Sequence, residues 1–268
     1  MTDTEKSHRD FHVTRDLFLE WRSPRYGALN PTVMNNHVWE WLIETGISAY
    51  QATEEMGGPS PCEAGPTWCF NRYGQSSTRM PDGSEIYIGG EHEDFYDPDF
   101  YIYNDVVVKD GSGNIFIYGY SKDCFPPTDF HSATLVGNKI VVIGNLGYDD
   151  QRLQHTKRVF VLNTETYEIS QRDTSGDFPG WIHGHSALLD PHEDLIKISG
   201  GKIDRGEGRT LIENIDDWQL DLTSWAWRRL TQRKWSRWEI NRADKQQNHL
   251  WEIRQALWSL EVNWLDAS

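Results

Sequence analysis

The sequence predicts a mainly β chain: consecutive four-stranded antiparallel sheets, with helical segments before and after them. Three observations carry this. Apolar runs that close on glycine, Glu85-Ile-Tyr-Ile-Gly-Gly90, Lys139-Ile-Val-Val-Ile-Gly-Asn145 and Leu195-Ile-Lys-Ile-Ser-Gly-Gly201, fall 55 residues apart when aligned on Ile88, Ile143 and Ile198. The strand upstream of each recurs as Gly74-Gln-Ser-Ser-Thr78, Phe130-His-Ser-Ala-Thr134 and Gly184-His-Ser-Ala-Leu188, 56 and then 54 residues apart. Two further strand signals follow each glycine. A period near 50 with four short strands per unit marks the blade of a β-propeller, or of part of one, rather than a helical solenoid.

Taken in order, residues 1–33 are polar and punctuated by Pro24 and Pro31, which reads as an arm. Residues 36–52 form a helix, with Val38, Trp41, Leu42 and Ile47 near helical spacing and Met56-Gly-Gly-Pro-Ser-Pro61 as its break. The first blade takes strands from 75–79, 85–90, 105–109 and 114–118, with Asp110-Gly-Ser-Gly113 as a turn. The second takes 130–136, 139–145, 157–163 and 167–170; Gly137-Asn138 tolerates positive φ and makes a tight hairpin of the first pair. The third takes 185–189, 194–200, 217–222 and 225–230. From Gln246 onward Leu250, Ile253, Leu257, Leu260 and Trp264 fall on one stripe, broadened by Trp251 and Trp258, with Asp244 as a cap. This helix is expected to dock on the last blade, and the N-terminal helix to cap the first. The domain reading is therefore an arm and helix over 1–66, blades over 67–230 and a helical cap over 231–268. Whether the blades make an open arc or a closed ring stays undecided, since three are fewer than the four to eight that close a propeller.

The blade pattern resembles the kelch family of β-propellers: a His/Gln-Ser-Ala/Ser opening strand, an apolar strand closing on Gly-Gly, a third strand ending in Asp or Asn and an aromatic in the fourth. The likeness covers 68–230, and Gly144-Asn145 departs from the double glycine. Each glycine pair reads as a backbone that bends where no Cβ fits, and Tyr167 and Trp225 are expected to pack between blades.

The chain has 268 residues, thirteen of them tryptophan, and only 37% are apolar, so large rings must supply much of the buried surface. Its formal net charge is −15, and residues 40–130 hold sixteen acidic against four basic side chains. Such a field repels nucleic acid and anionic membrane and speeds the approach of a basic protein. No apolar run is long enough for a membrane span, residues 1–10 lack the apolar core of a signal peptide, and three cysteines are too few for a disulfide framework. The expected location is the cytoplasm.

Glu91-His-Glu-Asp-Phe-Tyr-Asp-Pro-Asp99 packs five carboxylates and two aromatics into nine residues. It reads either as a solvated loop, as a docking surface for a basic partner through Glu91, Glu93, Asp94, Phe95, Tyr96, Asp97 and Asp99, or as a metal or acid/base site; an EF-hand is excluded by the missing glycine and ligand spacing. Arg72, Gln75, His131 and His185 fall nearest the axial mouth if the blade register holds. His183-x-His185 places two imidazoles on one side of an extended segment, but His185 shares its repeat position with His131 and Gln75, so a structural role is preferred to metal ligation. The sequence has no Gly-x-Ser-x-Gly, phosphate loop or His-Glu-x-x-His, so no cofactor, metal or catalytic residue is assigned. The leading function is an acidic binding protein that neutralises a basic partner, such as an immunity protein against a bacterial nuclease-like toxin. The alternatives are a propeller enzyme acting on a carbohydrate at the axial mouth, or a kelch-type adaptor.

Overall fold

The computed structural model describes residues 12–92, 97–152, 159–190, 192–204 and 211–234. The chain divides into two compact units, Met1–Gln232 and Arg233–Ser268. The expected C-terminal helix lies outside the described residues.

The N-terminal segment is more ordered than its polarity suggests. Helix α1 (Arg15–Trp21) starts at Thr14, whose side chain accepts from the Leu17 N–H, and it buries Phe18. Strand β1 (Thr32–Val33) follows the cis Asn30–Pro31 bond. The single helix expected over 36–52 is two helices. Asn36 caps α2 (His37–Thr45), which Gly46 ends with φ 66°, and Ser48 opens α3 (Ala49–Glu55) with a capping box to Gln51. Apolar spacing runs through this break, so periodicity alone could not place it; the capping residues do. A short helix, α4 (Pro61–Ala64), precedes the first blade.

Blade 1 consists of β2 (Ser76–Arg79), β3 (Glu85–Ile88), β6 (Val106–Lys109) and β7 (Ile115–Gly119), with β1 paired to the outer strand β7. A small hairpin, β4 (Glu91–His92) and β5 (Tyr101–Ile102), projects between β3 and β6. Blade 2 is β8 (Ser132–Val136), β9 (Lys139–Ile143), β10 (Val159–Asn163) and β11 (Ile169–Gln171). In the link to blade 3, β12 (Ser175–Gly176) and β13 (Trp181–His183) come first. Blade 3 is β14 (Ser186–Asp190), β15 (Leu195–Ser199), β18 (Trp218–Asp221) and β19 (Ala226–Arg229), with β12 parallel to β19. β13 joins β16 (Lys202–Asp204) and β17 (Leu211–Glu213) in a small three-stranded sheet. Outer strands β7 and β19 are thus each covered by a strand from outside the repeat, which removes exposed edges.

Alternation along the strands divides the core into three layers. Tyr87, Val107 and Ile117 face α1–α3, where Trp39 stacks on Trp68 at 5.0 Å and 8°. Ile86, Ile88, Val106 and Val108 face Ile140, Val142, Phe160 and Leu162 of blade 2. The other side of blade 2, with Val141, Ile143, Val159 and Val161, meets Ile196, Ile198, Trp218, Leu220 and Trp227 of blade 3. Tyr167 stacks on Tyr118 of blade 1 at 4.3 Å, and Trp225 packs against the layer between blades 2 and 3. The sheet register corrects one alignment. Ser76 pairs with Ile88 and Ser132 with Ile143, but Ser186 pairs with Ser199, so Ser199 rather than Ile198 occupies the repeat position. The third blade carries one extra residue before its double glycine, and a one-residue slip moves every side chain to the other face.

The glycines at the ends of the second strands have a steric cause. A Cβ on Gly89 would lie 2.1 Å from the Thr128 carbonyl oxygen, and one on Gly144 would lie 2.3 Å from that of Ile182. Both have positive φ. Each is therefore pressed against the segment that leads into the next blade. Asn145, where the pattern expects a second glycine, accepts from the Asp129 N–H and donates to the Pro127 carbonyl, so its side chain ties the end of β9 to the segment that leads into blade 2.

Candidate partner-binding site

The segment that leads into blade 1 places Arg72 in the interior. Its guanidinium donates from Nε to the Cys69 carbonyl at 2.6 Å, from Nη1 to the Gly89 carbonyl at 2.9 Å and from Nη2 to Asp105 Oδ2 at 3.0 Å. It also lies 3.4 Å from the centre of the Tyr103 ring and 4.9 Å from that of Trp68. Asp105 in turn accepts from Trp68 Nε1 at 2.8 Å. Gln75 reaches the Gly89 carbonyl at 3.4 Å. His131 Nε2 bonds Ser76 Oγ at 2.8 Å, and His185 Nε2 bonds Ser132 Oγ at 2.9 Å. Of the four residues named for the axial mouth, Arg72 and Gln75 bond within blade 1 and its lead-in, and the two histidines each clasp the serine of the blade before. Burial, with the neighbouring His185 second, pushes His131 down to about 3; burial, with His183 second, pushes His185 down to about 4. Both are neutral. Among the described residues no group of three or more His, Cys, Asp or Glu is placed to hold a metal ion.

The acidic run is divided. Glu91, half-buried in β4, exchanges backbone bonds with Tyr73 at 2.8 and 2.9 Å, and its side chain is among the groups that act on the Asp129 carboxyl. Burial, offset by the Gly147 N–H, by Glu91 and by Arg152, holds the Asp129 carboxyl above its usual range. Asp97 and Asp99 lie at the far end of the β4–β5 hairpin, where the Asp97 carbonyl accepts from Phe100 N–H at 3.1 Å. Glu93, Asp94, Phe95 and Tyr96 lie outside the described residues.

A cavity of about 400 Å³ opens beside this hairpin. Ser48, Ala49 and Tyr50 at the start of α3 form one wall; Cys69, Asn71, Arg72 and Tyr73 form another; His92 of β4 closes the back. Tyr50 and Tyr73 are each 67% exposed, so two large rings stand at the rim. Tyr50 donates to Glu54 Oε1 at 2.8 Å, and this bond raises its pKa. Neither tyrosine is singled out by the repeat, because Tyr50 lies in a helix before the blades and Tyr73 lies between motifs. Their exposure, the property that matters, is absent from the sequence pattern. A narrower niche lined by Ile143, Val159, Phe178, Trp181, Ile182 and Trp227 holds about 20 Å³, room for no more than a water molecule.

Residues 56–242 match the family model of the KLHDC2/KLHL20/DRC7 Kelch-repeats domain. The chain belongs to the kelch-repeat family. No curated protein matches it. The matched region spans the three blades and the cavity wall from Cys69 to Tyr73, and it gives this kelch chain a role in protein–protein interaction. No described helix is long and apolar enough to cross a membrane.

Proposed function

We propose that this kelch domain binds a basic protein partner at the cavity beside blade 1. The observation that carries the proposal is the pair of exposed tyrosines, Tyr50 and Tyr73, on the rim of a concave site of about 400 Å³. Exposed rings at a concavity supply anchor area at low entropic cost, and they are the residue type that dominates binding energy at protein interfaces. The acidic excess over residues 40–130 supports a partner of positive charge, attracted at long range and held in register. His92 of β4 lines the cavity, and the segment between β4 and β5 carries Asp97 and Asp99. An immunity protein against a nuclease-like toxin is the finer version of this reading, and only the acidity of the chain supports it.

The test is affinity capture followed by titration of the captured protein. Tyr50→Ala and Tyr73→Ala are each expected to weaken binding by about tenfold, or about 1.4 kcal/mol, and added salt to weaken it steeply. Binding that ignores both substitutions and salt overturns the proposal. Rescue of cells from the captured protein decides the immunity version.

A further inference from the structure

Each blade junction in this chain is built from the same three hydrogen bonds, and blade 3 offers their leading half once more. The Phe130 N–H donates to the Gly74 carbonyl at 2.9 Å, and the Gly184 N–H donates to the Phe130 carbonyl at 2.7 Å. Ser76 bonds His131 and Ser132 bonds His185. The Gly90 N–H donates to the Thr128 carbonyl at 2.8 Å, and the Asn145 N–H donates to the Ile182 carbonyl at 2.9 Å. The matching groups of blade 3 are the Gly184 carbonyl, Ser186 Oγ and the Gly201 N–H. Space over the second-strand glycine follows the same rule. A Cβ on Gly89 or Gly144 would strike the incoming carbonyl, whereas among the described residues nothing lies within 4 Å of one on Gly200.

We infer that this margin of blade 3 is a binding site for an extended segment of a partner protein, led by a residue with positive φ and then histidine or glutamine. The two filled junctions define the ligand: a carbonyl three residues before the imidazole, an N–H one residue before it, and the side chain itself. Gly74, Phe130 and Gly184, which precede Gln75, His131 and His185, have φ of 60°, 47° and 61°. The face beyond the margin narrows the choice. Where blade 1 turns Ile86, Ile88 and Val108 to its neighbour and blade 2 turns Val141, Ile143 and Val161, blade 3 has Lys197, Ser199 and Gln219 at the same register. Leu188 is 71% exposed beside Lys197, and Arg228 ends that row. An apolar fourth blade would bury these polar groups at a cost, but a segment followed by acidic residues meets Arg228 and competes with Asp190, 3.2 Å away, for Lys197. A second copy of this chain does not fit, because the leading segments of its blades 2 and 3 are already engaged and the free face of its blade 1 is covered by α1–α3.

The probe is a synthetic peptide with the sequence of residues 178–187 followed by two aspartates, titrated into the full chain labelled with nitrogen-15. Saturable shifts at the Gly184, Ser186 and Gly201 amides are expected, weakened about tenfold by alanine in place of the peptide histidine preceding serine, and likewise by Ser186→Val in the chain. Ser186 is exposed, so that variant keeps the fold. Lys197→Glu is expected to weaken binding and to reduce its salt dependence. The Tyr50→Ala and Tyr73→Ala chain is expected to bind the peptide unchanged, which separates this site from the cavity beside blade 1. Absence of saturable shifts, shifts confined to other blades, or equal binding by Ser186→Val overturns the inference.

Discussion

Arg72 shows what a buried cation does inside an acidic chain. It has no exposed side-chain surface, and its ion pair with Asp105 is enclosed by Trp68 and Tyr103. Removing one partner of such a pair strands the other charge, so Arg72→Ala is expected to lower unfolding free energy by about 3–5 kcal/mol, read from urea midpoints. A loss under about 1 kcal/mol contradicts this account. The junction histidines make a second prediction, on pH. His131 and His185 titrate near 6.5 in the unfolded chain but near 3 and 4 in the fold. Between those limits the unfolded state binds more protons, so stability is greatest above pH 6.5 and falls as pH drops toward 4. Each histidine contributes a slope of about 1.4 kcal/mol per pH unit. Replacing His131 with glutamine, which blade 1 uses at this position, should flatten the slope between pH 6 and 5 by about that amount. An unchanged slope assigns the titration elsewhere.

Second-strand ends carry the next prediction. Gly144→Ala adds a Cβ 2.3 Å from a backbone oxygen at φ 78°, so it combines left-handed strain with a clash and is expected to cost about 3–5 kcal/mol. Gly200→Ala meets no described residue within 4 Å at φ 65°, so only the strain remains, about 1–2 kcal/mol. Equal losses by urea unfolding would mean that the close approach at Gly144 is relieved by movement of Ile182. The strands themselves were legible because alternation, turn glycines and constant spacing all point to one answer; each of the twelve blade strands falls within its expected segment, give or take a residue or two. What escaped was local. Helix α1 was hidden in a polar segment whose single deep anchor is Phe18, the break at Gly46 was hidden by continuous apolar spacing, and the slip from Ile198 to Ser199 was hidden because both neighbours are apolar or small.

On the scale of the described fold, each blade needs a neighbour for each face, and the chain solves this differently at its two ends. Blade 1 turns Tyr87, Val107 and Ile117 to the N-terminal helices, while blade 3 ends on a polar row. A chain begun at residue 61 loses α1–α3 and exposes that apolar face, so it is expected to self-associate in light scattering at concentrations where the full chain does not. A monodisperse truncated chain would show that the helices are dispensable covers. The repeat, the blade strands and the excess of negative charge were readable without coordinates, because these rest on period, turn chemistry and composition, which are properties of order along the chain. Folding alone shows that Arg72 is clamped inside blade 1, that His131 and His185 fasten junctions, that Glu91 acts on the Asp129 carboxyl, and that Tyr50 and Tyr73 share a rim. Those outcomes depend on which groups meet across 20 to 60 residues of chain, and burial, exposure and hydrogen-bond satisfaction exist only once they have met.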